Sequence, residues 1–308
     1  MKITVMGSGG VGGYFGARLA AAGNDVSFVA RGAHLEAMRR NGLRLDSELG
    51  NLHLKPVQVV ADARDIAAAD AILFAVKLGD TRSAAESLQP LVAKGATVFT
   101  FQNGIDSAER IGRIIGANSV VPGVGRILSH ILEPGVIKQT GTFARLEFAE
   151  SNNEPSPRTA AFREACQGAG FEAVLSPNIG RELWLKFAML APNAAVTALA
   201  RGPISLMRDD PQSRPLLISL VEEAVAVGIA LKTGLEPSDT DKIMQLIDGL
   251  PKQMMASMAH DIIAGKPIEV DGLSGAVVRL GAQTGVPAPS HKFIVQALAP
   301  FAAGKRLG

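Results

Sequence analysis

One lysine stands in the middle of an apolar stretch, Trp184-Leu-Lys-Phe-Ala-Met-Leu190. Burial disfavours a charged ammonium, so a desolvated lysine at this position would donate its proton more easily. A lysine that only lays its methylene stem along the core would leave the same pattern. Residue type and spacing therefore allow either a general acid or a packing residue at Lys186.

Two other polar residues stand in the same apolar half of the chain. Ser257 belongs to a methionine-rich segment, Met254-Met-Ala-Ser-Met258, and methionines in such a segment are usually core residues. Glu269 follows Gly265-Lys-Pro267, which ends one helix, so its carboxylate can simply stabilise the N-terminus of the next helix. Taken alone, neither residue indicates chemistry.

A glycine-rich turn near the N-terminus indicates the binding of phosphate groups. The apolar run Ile3 to Met6 leads into Gly7-x-Gly9-x-x-Gly12, and a helix is predicted from Ala17 to Ala22. Glycines at this spacing allow the turn, let a pyrophosphate approach the backbone and let the helix lie close to the strand. The N-terminus of the helix that follows also favours phosphate. We therefore predict dinucleotide binding rather than a plain turn. The predicted contacts are Gly7, Ser8, Gly9, Gly10, Val11 and Gly12.

Arg31 follows the second predicted strand, Asp25 to Val29, and bears on the type of cofactor. NAD-binding folds usually carry Asp or Glu ~20 residues beyond the glycines, where the carboxylate accepts a hydrogen bond from the ribose 2′-hydroxyl. A guanidinium can instead bind a 2′-phosphate through paired hydrogen bonds. Asp25 stands at the wrong end of the strand to take the hydroxyl. We therefore predict NADP (NADPH) as the cofactor, against the alternative of an ordinary solvated arginine.

Lys77 and Asn103 each follow a continuous apolar run, as expected for strands that are buried on both faces. The runs are Asp70 to Val76 and Ala96 to Phe101. Ligands of doubly wound sheets lie beyond the carboxyl ends of the strands, so both residues are predicted to contact the nucleotide. The alternatives are a charge that merely ends a buried strand and an ordinary Asn-Gly turn.

The elements that must position these residues change in character near Pro177. Residues 1–177 are predicted to form an α/β dinucleotide-binding domain of the Rossmann type, with an insertion hairpin at 43–46 and 52–60. Residues 178–308 are predicted to form a helical substrate and catalytic domain. Its predicted helices span 181–200, 214–233, 240–264, 272–284 and 291–299.

Composition excludes several classes of protein. The 308 residues are 47% hydrophobic and 19% charged, so the chain can bury a substantial core, and its net charge of +2 argues against a nucleic-acid binder. The single cysteine, Cys166, permits no intrachain disulfide, fits a reducing compartment and is predicted to be a small buried residue rather than a catalytic thiol. Without a signal-peptide pattern or an apolar run approaching ~20 residues, a soluble cytoplasmic protein is expected.

Taken together, these segments resemble the ketopantoate reductase (2-dehydropantoate 2-reductase) family nearly from end to end. In the N-terminal half the resemblance rests on the glycine turn, Ala30-Arg31-Gly32 with His34-Leu35, Val76-Lys77 and Gln102-Asn103-Gly104. In the C-terminal half it rests on Leu183-Trp-x-Lys186, Ser257-Met258 with Asp261, and Ile268-Glu269-x-Asp271-x-x-x-Gly275. The C-terminal blocks are more specific than the glycine turn.

The resemblance implies NADPH-dependent reduction of 2-dehydropantoate to (R)-pantoate, a step of pantothenate biosynthesis. It implies a Rossmann-type domain followed by an all-α domain like the C-terminal domain of 6-phosphogluconate dehydrogenase. It assigns Lys186 as the catalytic lysine, Glu269 as the acid that contacts lysine, substrate and cofactor ribose, and Ser257 as a ligand of the substrate carboxylate. Cofactor contacts are implied for Arg31, Lys77, Asn103 and, in a loosely matched region, Ser129.

The chain departs from the family in the residues that bind substrate. Well-known members carry asparagines four and eight residues after the lysine and another after the following turn, where this chain has Leu190, Ala194 and Ile204. Asn193 is one residue out of register, a rotation of ~100° on a helix, although Pro192 can distort the turn and bring it back. Asn193 is therefore included as a predicted substrate ligand.

Three functions remain open from the sequence. The first is ketopantoate reductase itself, the second is a related reductase of a more apolar 2-keto acid, and the third is a non-catalytic NADPH-binding regulator. Retention of Lys186 and Glu269 weighs against the third. A small-molecule 2-keto acid is the expected partner, with no metal, nucleic acid or membrane, and the apolar helical half leaves a homodimer possible.

Overall fold

The computed structural model describes residues 1–304 of the chain, which divides into two compact units. The N-terminal unit comprises residues 1–102 and 106–179. The C-terminal unit comprises the chain from Gly180 onward and, in addition, the segment Asn103–Ile105. Three residues from the middle of the first half therefore belong to the second unit, a feature that the sequence does not reveal.

The N-terminal unit is a mixed β-sheet with helices, which confirms the predicted α/β class. Its strands are β1 Lys2–Met6, β2 Asp25–Val29, β3 Leu43–Ser47, β4 Leu52–Leu54, β5 Gln58–Val60, β6 Ala71–Phe74, β7 Thr97–Thr100, β8 Val120–Glu133, β9 Val136–Phe148 and β10 Glu172–Leu175. Its helices are α1 Gly10–Ala21, α2 Gly32–Asn41, α3 Thr81–Val92, α4 Ser107–Ile115 and α5 Pro157–Ala165.

The strands run in the order β4-β3-β9-β8-β7-β6-β1-β2-β5, with β10 beside β9. From β5 to β8 neighbouring strands are parallel, and β8 and β9 form an antiparallel hairpin. β6 and β7 are buried along their whole length, which explains their uninterrupted apolar sequences. Because β1 lies between β2 and β6, the carboxyl ends of these three strands are side by side.

The predicted insertion hairpin is only partly correct. β3 and β4 do pair antiparallel, with Leu43 opposite Leu54. The segment 52–60 is not one strand, however, because Pro56 lacks the N–H that a continuous ladder needs. After Pro56 the chain forms β5, which pairs with β2 at the other edge of the sheet.

Cys166 lies at the C-terminal end of α5 and is 2% exposed. Burial raises the pKa of its thiol to about 12, so the thiolate form is strongly disfavoured. The prediction of a packing residue rather than a nucleophile is confirmed.

The C-terminal unit is helical. Its helices are α6 Ile179–Ala200, whose first residue still belongs to the N-terminal unit, α7 Ser205–Arg208, α8 Arg214–Ala230, α9 Asp239–Asp248, α10 Ser257–Ile263, α11 Ser274–Thr284 and α12 Pro289–Leu298. The expectation that no segment approaches the length of a membrane span was wrong, because α6 has 22 residues and is apolar enough to cross one. Of its most apolar window, 61% is buried inside the protein, and Trp184 and Phe187 lie in the hydrophobic core. α6 is thus packed as a core helix.

The predicted helix 240–264 is two helices, α9 and α10, separated at Gly249 to Ala256. Gly249 and Pro251 disfavour a continuous helix. The buried guanidinium of Arg208 then donates to the carbonyl oxygens of Ile247 and Leu250, at 3.2 and 2.7 Å, and satisfies acceptors left at the end of α9. As a consequence, Ser257 is the first residue of α10 and not an interior helical residue.

A buried carboxylate ties α9 to α6. Asp239 is fully buried and accepts two hydrogen bonds of 2.9 Å from the guanidinium of Arg181 and one of 3.1 Å from Lys242. The hydrogen bonds from Arg181 are the main cause that lowers the pKa of Asp239 to about 2. A carboxyl group with a depressed pKa in the folded state stabilises the fold above its unfolded pKa of ~4.

We expect Asp239→Asn to lower the free energy of unfolding by about 3 kcal/mol at neutral pH, because Arg181 loses a buried ionic partner. In the unmodified protein this contribution should disappear as the pH falls from ~4 through the folded pKa near 2. Denaturant unfolding followed by the fluorescence of Trp184, the single tryptophan, measures both effects. Asp241→Asn, on the exposed side of the same helical turn, is the matched control and should change stability by less than about 0.5 kcal/mol. Equal effects of the two variants would contradict the role of Asp239.

Candidate active site

The glycine turn joins β1 to α1 and depends on two missing side chains. Gly7 has a φ of +99°, a conformation that favours glycine. A Cβ atom on Gly12 would lie 2.1 Å from the carbonyl oxygen of Gly7, so only glycine lets α1 start this close to the turn. These two positions perform the structural tasks predicted for them.

Gly9 is different, because the turn itself does not require a glycine there. Its φ is −73°, and a Cβ atom on Gly9 would meet no atom within 4 Å. The space in front of this residue is open, at the N-terminus of a helix whose first turn carries no acidic residue. Such a bare helix N-terminus is suited to hold a pyrophosphate.

His34 holds the turn in place, a role that sequence reasoning missed. The N–H of Gly135 donates to His34 Nδ1 at 3.0 Å, so the proton of the neutral imidazole is on Nε2, which lies 2.9 Å from the carbonyl oxygen of Ser8 and donates to it. Burial lowers the pKa of His34, which favours this neutral form. Ser8 is fixed further by its own hydroxyl, which donates to the carbonyl oxygen of Val29 at 2.9 Å.

Ser129 lies against the same turn. A Cβ atom on Gly10 would be 2.4 Å from the carbonyl oxygen of Ser129, so the backbone of β8 touches the first turn of α1. The hydroxyl of Ser129 is buried and has no hydrogen-bond partner within residues 1–304. A buried hydroxyl without a partner beside the glycine turn agrees with the predicted cofactor contact of Ser129.

Arg31 and Lys77 follow β2 and β6, the two strands that flank β1. Both side chains are exposed at the carboxyl-terminal end of the parallel strands, where β1 enters the glycine turn. The guanidinium of Arg31 is not isolated, because its Nη1 lies 3.3 Å from Oδ1 of Asp80. Sequence reasoning missed Asp80, which lies in a short turn after β6.

Lys186 projects from α6 and is half-buried. Its Nζ donates a hydrogen bond of 3.0 Å to Oδ1 of Asn103. Asn103 belongs to the three-residue segment that joins the C-terminal unit, and Ile105 of the same segment packs against that unit's hydrophobic core. The residue predicted from a strand end to contact cofactor is therefore a neighbour of the predicted catalytic lysine.

Glu269 and Ser257 belong to the same unit as Lys186. Glu269 is half-buried in the turn before α11, where its carbonyl oxygen accepts a hydrogen bond from the N–H of Leu273 at 3.1 Å. Ser257 is exposed at the start of α10. Their predicted contacts with cofactor and substrate remain predictions.

Asn193 lies seven residues after Lys186, which brings it within ~20° of the same face of α6. It is 1% exposed, and its amide nitrogen lies 3.2 Å from the sulfur of Met254. Its amide oxygen is buried without a partner in the described part of the chain. At the three positions where the resemblance leads one to expect asparagines, Leu190 packs at the edge of the core, and Ala194 and Ile204 lie inside it.

The N-terminal unit thus has the turn, the open helix N-terminus and the flanking cations of a dinucleotide-binding protein, and the C-terminal unit holds a lysine with an amide partner. Comparison with known proteins gives the family. The family described as Ketopantoate reductase PanE/ApbA matches residues 3–153, and its C-terminal counterpart matches residues 178–302. The chain belongs to the ketopantoate reductase family.

Similar proteins agree with this assignment. A 2-dehydropantoate 2-reductase of Mesorhizobium japonicum is 30% identical over 94% of each chain, and an uncharacterized oxidoreductase, YkpB, of Bacillus subtilis is 27% identical over 99% of this chain and 100% of its own. The crystal structure of a 2-dehydropantoate 2-reductase from Geobacter metallireducens has a TM-score of 0.91, with 26% identity over 97% of this chain and 99% of its own. The chain is accordingly an oxidoreductase that acts on a keto or hydroxyl group with a nicotinamide dinucleotide.

We expect the two glycines to separate binding from folding. Gly9→Ala should change the free energy of unfolding by less than about 1 kcal/mol, because its methyl group meets open space, yet weaken dinucleotide binding at least about tenfold by blocking the pyrophosphate. Gly12→Ala should cost about 2–3 kcal/mol and also abolish binding, because the methyl group forces the helix away from Gly7. Thermal unfolding and calorimetric titration with NADPH measure the two quantities. A Gly12→Ala variant as stable as the parent protein would contradict this interpretation.

Proposed function

We propose that this protein reduces the 2-keto group of 2-dehydropantoate to (R)-pantoate with NADPH. The observation that carries the proposal is the hydrogen bond between Lys186 and Asn103 in a chain of the ketopantoate reductase family. A half-buried ammonium with a neutral hydrogen-bond partner is suited to protonate an oxygen that becomes negative during reduction.

The cofactor would be held by the N-terminal unit. The glycine turn and the N-terminus of α1 would take the pyrophosphate, Arg31 and Lys77 would face the 2′-phosphate end, and the hydroxyl of Ser129 would find a polar partner. When bound, reduced nicotinamide supplies a hydride to the keto carbon. A preference for NADPH is inferred from Arg31, since a guanidinium pairs with a phosphate but has no acceptor for a 2′-hydroxyl.

Lys186 would act on the keto oxygen. Its ammonium stabilises the negative charge that develops there and then donates a proton from Nζ. Asn103 contributes by holding Nζ through a carbonyl oxygen, which restricts the direction of the ammonium. Because the amide is neutral, Asn103 orients Lys186 without itself adding a negative charge next to the ammonium.

The substrate would be bound in part by polar residues of the C-terminal unit. Ser257 is proposed to bind the substrate carboxylate, Glu269 to contact Lys186, substrate and cofactor ribose, and Asn193 to accept a hydrogen bond through its unpartnered oxygen.

A second candidate substrate, a more apolar 2-keto acid, is favoured by one observation. Ala194 and Ile204 are core residues and offer a substrate hydroxyl no hydrogen bond.

The decisive experiment is NADPH oxidation with 2-dehydropantoate beside a panel of branched 2-keto acids that lack its hydroxyl group. We expect turnover with 2-dehydropantoate. A kcat/KM at least about tenfold higher for a branched acid without the hydroxyl would establish the second candidate instead. Turnover with none of the acids would sink both proposals.

Lys186→Ala should lower kcat by about 10²–10⁴-fold, the usual contribution of a positioned general acid. The Kd for NADPH should stay within about threefold, because Lys186 is not among the proposed cofactor contacts and the proposed phosphate contacts lie on the N-terminal unit. Lys292→Ala, on the exposed side of α12, is the matched control and should leave both quantities unchanged. Loss of binding and turnover together would mean that Lys186 is a structural residue.

A further inference from the structure

Arg31 forms an ion pair with Asp80, a residue with no role so far. Nη1 of Arg31 lies 3.3 Å from Oδ1 of Asp80, and the two side chains are 59% and 47% exposed. Arg31 follows β2, and Asp80 ends the turn Leu78–Asp80 that follows β6. The pair therefore joins the segments that follow the two strands flanking β1, at the carboxyl ends of these strands, where the glycine turn lies.

Asp80 is the carboxylate that pairs with Arg31, because the other nearby carboxylate, Asp62, is bound to Arg64. Asp62 is near enough to feel the charge of Arg31, but its Oδ1 accepts hydrogen bonds of 2.9 Å from both the backbone N–H and Nε of Arg64, and its Oδ2 pairs with the same guanidinium. Hydrogen bonding to Arg64 is the main cause that lowers the pKa of Asp62 to about 2. Lys77, exposed at the start of the turn that ends at Asp80, adds a second cation to this edge.

We propose that Asp80 sets the preference of this protein between NADPH and NADH. The inference rests on the proposed function, in which Arg31 binds the 2′-phosphate. A 2′-phosphate bound to Arg31 must share the guanidinium with the Asp80 carboxylate and lie close to a like charge, which weakens binding. A 2′-hydroxyl meets no such repulsion and can donate a hydrogen bond to the same carboxylate. Asp80 thus opposes NADPH and supports NADH.

Asparagine is a clean replacement at this position. Asp80 is the N-terminal cap residue of α3, and its side chain accepts no capping hydrogen bond there. Asparagine is as good a cap as aspartate, so Asp80→Asn removes the charge and leaves the start of α3 intact. Glu86, exposed further along α3, provides the matched control Glu86→Gln.

The experiment measures Kd by calorimetry on the full chain for NADPH, NADH, adenosine 2′,5′-bisphosphate and 5′-AMP, at one ionic strength. The two adenosine fragments report on the ribose end alone. Asp80→Asn should bind NADPH and the bisphosphate about five- to tenfold more tightly, and NADH and 5′-AMP no more tightly than the parent protein. In an Arg31→Ala background the gain for NADPH should be smaller, because only repulsion is relieved. Glu86→Gln should stay within about twofold for every ligand.

Two results separate failure of this inference from failure of the proposed function. If Arg31→Ala weakens NADPH much more than NADH, but Asp80→Asn shifts NADPH by less than twofold or shifts both cofactors equally, Asp80 does not set the preference. If Arg31→Ala affects NADPH and NADH equally, the 2′-phosphate assignment itself is wrong, and the role of Asp80 is overturned with it.

Discussion

The nucleotide half of this protein depends on one close backbone contact, the approach of Gly12 to the carbonyl oxygen of Gly7. A methyl group would lie 2.1 Å from that oxygen, so the start of α1 is fixed against the end of β1 only while position 12 has no side chain. The same tight packing continues along α1, where a Cβ atom on Gly16 would lie 2.5 Å from Val5. With α1 held there, its N-terminus faces the carboxyl ends of β1, β2 and β6, and the residues that follow those strands become neighbours.

Local sequence pattern was sufficient where an element is defined by its own residues. β2 spans Asp25–Val29 as predicted, because Asp25 marks the start of its apolar run and Arg31 follows shortly after its end. The pattern failed where a distant partner decides. The extended segment 52–60 is divided between opposite edges of the sheet, because its two halves pair with different strands, β3 and β2. The predicted helix 240–264 is wrong for a local reason instead, because Gly249 and Pro251 interrupt its apolar pattern.

The candidate site divides in the same way. Lys186 can be recognised in the sequence because it is a charged residue in an apolar stretch, and the glycine turn because its glycines recur at a fixed spacing after an apolar run. The bonds of His34 to Gly135, of Lys186 to Asn103 and of Arg31 to Asp80 join residues 101, 83 and 49 positions apart, and no local pattern records them. The nearest sequence signal is the Asn-Gly turn after β7, which predicts Asn103 as a site residue but does not indicate its proximity to the lysine.

The buried amide of Asn193 bears on the question of substrate. Leaving a buried acceptor without a hydrogen bond costs about 1–3 kcal/mol, and an apolar residue of similar size would avoid that cost. The sulfur of Met254 offers the amide nitrogen only a weak acceptor and the amide oxygen nothing. Asn193 is therefore poorly explained as packing. Its place two helical turns beyond Lys186, on nearly the same face, agrees with the proposal that Asn193 is a substrate ligand.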